Sequence, residues 1–86
     1  MKQVTLFEYE LKNDLKKFRV ACGLSQTELA FKVGTSQNTI SAIETGTYKS
    51  TSLLLALKIA HVLGYKVEDI FYLSQVYSNG RFLWFF

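Results

Sequence analysis

Residues Ser36 to Gly46 read "SQNTISAIETG". Ile40 and Ile43 sit three apart, the spacing of one helix face. The remaining surface is small and carries amides or hydroxyls at Ser36, Gln37, Asn38, Thr39, Ser41 and Thr45, with Glu44 as the one charge. A solvated helix face ordinarily carries lysine and glutamate, which are better helix formers. With Ser36 as N-cap and the two isoleucines turned inward, Asn38, Ser41, Ala42 and Thr45 point outward. Gln37 then lies on the flank at the helix start.

The stretch before it, "SQTELAFKVG", has its own start and stop. Ser25 with Glu28 three residues on is a capping box, Leu29, Ala30 and Val33 form an inward face, and Gly34 ends the helix. Two short helices around a glycine turn form a helix-turn-helix arrangement. Upstream, Leu11, Leu15, Phe18 and Cys22 predict one apolar helix face that places Cys22 in the core, closed by Gly23. Downstream, "GTYKSTS" is a loop, and "LLLALKIAHVLG" predicts a helix that is wet only at Lys58 and His61 and buried elsewhere. "KVEDIFYL" is a short fifth helix or turn, with Glu68 and Asp69 placed favourably at its start. "QVTLFEYEL" has strand composition, and Asn79-Gly80 signals a hairpin pairing about 73–78 with 81–86. The expected fold is mostly α, a compact five-helix domain over 11–73. A strand extension at 1–10 and a hairpin arm at 74–86 flank it.

The 86 residues suffice for one domain, and 49% hydrophobic with 20% charged residues supports a packed core. One cysteine excludes an internal disulfide framework and cysteine-rich zinc sites. No secretory pattern opens the chain and no apolar run approaches the ~20 residues of a membrane span, so a cytoplasmic location is expected. His61 and Cys22 have no orienting partner, and no phosphate-cradling or metal motif is present. No enzyme and no cofactor are expected. The net charge of +3 permits a nucleic-acid partner without requiring one.

The uncharged comb on the 36–46 helix matches the edges of DNA bases in the major groove. Gln and Asn can bond adenine in pairs, Ser and Thr several bases, and Ala can meet the thymine methyl. The candidate groove residues are therefore Ser36, Gln37, Asn38, Thr39, Ser41, Ala42 and Thr45. Gln26, Thr27, Lys49 and the free N–H groups of the preceding helix are placed at phosphates.

From Gln26 to Thr45 the chain resembles the XRE family, the Cro and repressor group of helix-turn-helix regulators. The resemblance extends from about Leu11 to Leu73 and rests on "LSQTELA", "VGTSQNTISAIETG" and "LALKIAHVLG" followed by "VEDIF". It implies a phosphate contact for Gln26, a base contact for Gln37 and double-stranded DNA as the partner. It also implies a pairing of Arg19 with Glu44 that braces the recognition helix. Two departures stand out. Asn38 occupies a position where short relatives often carry Arg, and the loop "TYKSTS" lacks their basic, proline-containing character. Fewer cations predict a shallower salt dependence and a greater need for dimerisation.

Seven of the 13 aromatic residues fall between Phe71 and Phe86, more than a small helical core needs. Phe71, Tyr77, Phe82, Trp84 and Phe85 are expected at a homodimer interface, because a reader of a palindrome requires two-fold symmetry. The alternative is an antitoxin or other protein-interaction module that uses this aromatic segment to bind a partner protein.

Overall fold

The computed structural model describes residues 7–48 and 50–77. The element order is β1 (Phe7–Asn13), α1 (Leu15–Ala21), α2 (Gln26–Val33), α3 (Gln37–Thr45), α4 (Leu53–Leu63), α5 (Val67–Ile70) and β2 (Phe71–Tyr77). The described residues are thus mostly helical, with five helices and a small antiparallel sheet. The strands pair from Phe7 opposite Tyr77 to Asn13 opposite Phe71. The expected hairpin at Asn79-Gly80 lies outside the described residues.

Local chemistry explains most boundaries. Ser25 Oγ accepts from the Glu28 N–H at 3.0 Å while the Glu28 carboxylate accepts from the Ser25 N–H at 2.8 Å, so both halves of the capping box are made. Ser36 and Ser52 accept likewise from Thr39 and Leu55. Gly34 follows α2 at φ +74°, a left-handed conformation that strains any residue with a Cβ. Ser25→Ala should therefore cost about 1 kcal/mol of unfolding free energy. The Ser25 backbone N–H, then its side chain, hold the Glu28 pKa below the ordinary glutamate value. A depressed folded-state pKa contributes stability above the unfolded glutamate value, and that stability fades as pH falls through the folded one. The stabilities of parent and Glu28→Gln should therefore converge at low pH, where Glu28 is protonated, a trend that chemical denaturation at several pH values would test.

The core joins all the helices except at their exposed faces. Leu15, Leu29, Val33, Ile40, Ile43, Ile59, Leu63, Ile70 and Phe71 are buried together with Ala30, Ala56 and Ala60. Leu11, Phe18, Leu24, Leu55, Val62 and Val67 pack on its margin.

Three expectations are corrected. The first helix begins at Leu15, and Leu11 stands in β1 opposite Leu73. Leu11 still reaches the core margin, but from a strand. Asn13 marks the switch: its Oδ1 accepts from the Leu15 N–H at 3.0 Å, an Asx turn that starts α1 two residues later. Cys22 is exposed rather than core, because it caps the end of α1, where its thiol donates to the Leu63 carbonyl at 3.4 Å. Finally, α4 is not buried all round. Leu53, Leu54 and Leu57 are exposed, since α2 and the four-residue α5 cover only its Ala56–Ile59–Ala60–Leu63 side.

Candidate nucleic-acid interface

The second and third helices, α2 and α3, meet around the short Gly34–Ser36 turn, with Ala30, Val33, Ile40 and Ile43 buried beneath. This leaves the opposite side of α3 to solvent. Gln37, Asn38 and Thr45 are exposed there, while Thr39, Ser41 and Ala42 are half-buried on its flanks. Ser36 is exposed, but its Oγ is engaged by the Thr39 N–H and lies 2.9 Å from the Thr39 hydroxyl. Thr45 turns its hydroxyl back to donate to the Ser41 carbonyl at 3.0 Å, and its oxygen lies 2.9 Å from the Thr47 hydroxyl.

A chain of polar contacts runs from the interior to the start of α3. Arg19 and Glu44 form a buried fork. The Arg19 Nε donates to Glu44 Oε2 at 2.6 Å and Nη2 to Oε1 at 3.2 Å, with side chains only 9% and 4% exposed. The remaining guanidinium nitrogen, Nη1, donates to the Leu24 carbonyl at 2.8 Å. Hydrogen bonding to Glu44 raises the Arg19 pKa, outweighing the opposing effect of burial. The same carboxylate accepts from Gln26 Nε2 at 2.9 Å, and Gln26 Oε1 in turn accepts from Gln37 Nε2 at 2.6 Å.

The carboxylate sets the polarity of both amides. Ionised Glu44 can only accept, so Gln26 must present its NH₂ group inward and its carbonyl toward Gln37. Gln37 must then present its own NH₂ group to Gln26. One N–H and the carbonyl oxygen of Gln37 remain available at the exposed start of α3. A second clamp holds the other end of the helix, where Asn13 Nδ2 donates to the Ile43 carbonyl at 2.8 Å. The periodicity reading assigned Asn13 to a helix and gave it no role. The Asn13-Asp14 pair ahead of Leu15 was the available signal, since such residues start helices.

The helix-turn-helix family model matches residues 15–70, which spans α1 to α5. The chain belongs to the XRE-type helix-turn-helix family. An HTH-type transcriptional regulator of Methanocaldococcus jannaschii is 52% identical over 61 residues, covering 71% of this chain and 91% of that protein. The HTH-type regulator YgzD of Bacillus subtilis is 45% identical over 65 residues, 76% of this chain and 97% of its own. Among solved structures, the biofilm regulator SinR in complex with DNA superposes with a TM-score of 0.60 at 31% identity, over 63% of this chain and 86% of that one. In helix-turn-helix terms α2 is the positioning helix and α3 the recognition helix.

Of the remaining candidate residues, Thr27 is exposed in the first turn of α2 and Gln26 is half-buried in the contact chain. The Lys49 side chain lies outside the described residues, as do Phe82, Trp84 and Phe85. Tyr77 ends β2, opposite Phe7. Phe71, expected at a dimer interface, is 7% exposed and belongs to the protomer's own core. It follows Ile70 directly out of α5, and this junction turns its ring inward. No helix among the described residues is long and apolar enough to cross a membrane.

Proposed function

We propose that this protein is a sequence-specific transcriptional repressor that binds a palindromic DNA operator as a homodimer. The observation that carries the reading is the fixed Gln37 amide. Adenine offers N7 as acceptor and N6–H₂ as donor in the major groove, and the free N–H and carbonyl of Gln37 are the complementary pair. The pinning by Gln26 and Glu44 means that little rotamer freedom is lost on contact. Asn38, Ser41, Ala42 and Thr45 extend the same uncharged face along the groove, with Ser36 and Thr39 beside it.

Thr27, the N–H groups opening α2 and Lys49 are assigned to phosphates, which set register and orientation without reading sequence. Lys49→Ala should weaken all duplexes alike and reduce the slope of log affinity against log salt by about one unit. An unchanged slope in a salt titration removes Lys49 from the phosphate set. Operator occupancy by a small domain acts most simply by steric exclusion, hence repression.

Selection from a pool of random duplexes, repeated at several salt concentrations, tests the reading as a whole. An enriched inverted repeat with half-sites ~10–10.5 base pairs apart, or a multiple, is the expected result. Failure to enrich any sequence at any salt concentration overturns it.

A further inference from the structure

Asn13 stands where β1 turns into α1, and its half-buried amide joins this corner to the recognition helix. Its Oδ1 accepts from the Leu15 N–H at 3.0 Å, and its Nδ2 donates to the Ile43 carbonyl at 2.8 Å. Each polar atom of the amide meets its complement, and a flip would set donor against donor and acceptor against acceptor. The corner itself is anchored in the interior. Asn13 pairs with Phe71 in the sheet, and the Asp14 N–H donates to the Ile70 carbonyl at 2.9 Å. Ile70 and Phe71 are both buried in the core.

We propose that Asn13 is a positioning residue for base recognition, which sets the end of α3 carrying Ser41 and Thr45 and thereby the bases that this end reads. It acts through the Ile43 carbonyl rather than on a base, and its role rests on the DNA reading of α3 proposed above.

A helix leaves its last four carbonyls without intrahelical partners. In α3 the Ala42 carbonyl takes the Tyr48 N–H at 3.2 Å, and the Ile43 carbonyl takes the Gly46 N–H at 3.1 Å. Both donors belong to the turn continuous with the helix. Among the described residues, Asn13 brings the one donor to these two carbonyls from a distant part of the chain, 30 residues away. Packing does not duplicate the link. A groove of about 360 Å³ opens between residues 9–13 of β1 and residues 44–46 at the end of α3. Arg19 grips the neighbouring Glu44 by its side chain, whereas Asn13 holds the helix backbone.

Groups that recognise a ligand must be held to within about 0.5 Å and 10–20°. Ser41 and Thr45 stand two residues to either side of Ile43, so a tilt about that point displaces both. Gln37 lies about 9 Å further along the axis and is held separately by Gln26. Loss of the Asn13 bond should therefore blur one part of the recognised half-site and spare the other.

The test compares the full-length parent with Asn13→Asp and Asn13→Ser. Asn13→Asp keeps an oxygen for the Leu15 N–H but replaces the donor to Ile43 with an acceptor. Asn13→Ser keeps an acceptor for the same turn without adding a charge that would repel phosphates. Circular dichroism and melting confirm that each folds. In the free protein, amide exchange followed by NMR should quicken about tenfold at Gly46 and Tyr48 in both variants, and stay as in the parent within α2. Selection from random duplexes should relax the preference about threefold or more at the base pairs that parallel selections with Ser41→Ala and Thr45→Ala define. The base pair lost in Gln37→Ala should remain preferred. A merely structural residue would lower affinity for all duplexes alike and leave the profile of preferences intact. Parental exchange at Gly46 and Tyr48 in both variants overturns the clamp. Faster exchange with an unaltered profile overturns the positioning role while the DNA reading stands. A parent that enriches no sequence overturns the DNA reading and the positioning role together, and the exchange rates, measured without DNA, distinguish that case from failure of the clamp.

Discussion

Glu44→Ala is expected to destabilise the protein by about 3–5 kcal/mol. The substitution leaves the Arg19 guanidinium buried with only the Leu24 carbonyl as partner. An unpaired buried charge costs more than the intact pair contributes, because the desolvation remains and the attraction is lost. Against a total of ~5–10 kcal/mol for a domain of this size, this is a large fraction. The melting temperature, followed by circular dichroism, should fall by more than ~12 °C. A variant that melts within a few degrees of the parent rules out the brace. A double change to an apolar pair, Arg19→Met with Glu44→Leu, separates two roles of the carboxylate. It should recover much of the stability, since no charge is left unpaired. It should not recover base discrimination, since nothing then sets the polarity of the Gln26 and Gln37 amides.

The second large effect is on recognition. Removal of a bidentate base contact costs about 1–3 kcal/mol per half-site. For Gln37→Ala on a two-fold site, the loss is therefore ~2–6 kcal/mol if the half-sites contribute independently. Stability should change little, because Gln37 is exposed and its bond to Gln26 is at the surface. The selected operator should lose its preference at one base pair in each half while the other positions persist. Gln26→Ala should reproduce part of this loss without any contact to a base, since it frees the Gln37 amide to rotate. If the sequence preference and affinity of Gln37→Ala match those of the parent, Gln37 does not read a base.

Elements with local causes were legible before any coordinates. The Ser25–Glu28 capping box, the Ser36 cap and the Gly34 stop involve neighbours within a few residues, so the order of residues suffices to place them. The inward faces of α2 and α3 follow from helical spacing alone, and the solvent-facing side of α3 is their complement. The Arg19–Glu44 pairing entered through the resemblance to a family, since its partners stand 25 residues apart and nothing local joins them.

Other features were not legible, for reasons of tertiary context. Leu11 fits the spacing of the α1 face equally well, and only its pairing with Leu73, 62 residues away, makes it a strand residue. An apolar helix reads as buried on the assumption that enough neighbours exist to cover it. Here α2 and α5 cover one side of α4 and leave three leucines in solvent. Phe71 read as surplus aromatic surface, yet the α5–β2 junction turns it into the core.

The sequence by itself determined the boundaries of α2 and α3, the turn between them and the uncharged side of α3, because capping, backbone conformation and periodicity act over one or two turns. Only the tertiary structure decided which apolar residues stay exposed and which way the Gln37 amide points. Both depend on how far-separated elements meet, and the amide is set by a carboxylate whose own position is held by an arginine from another helix.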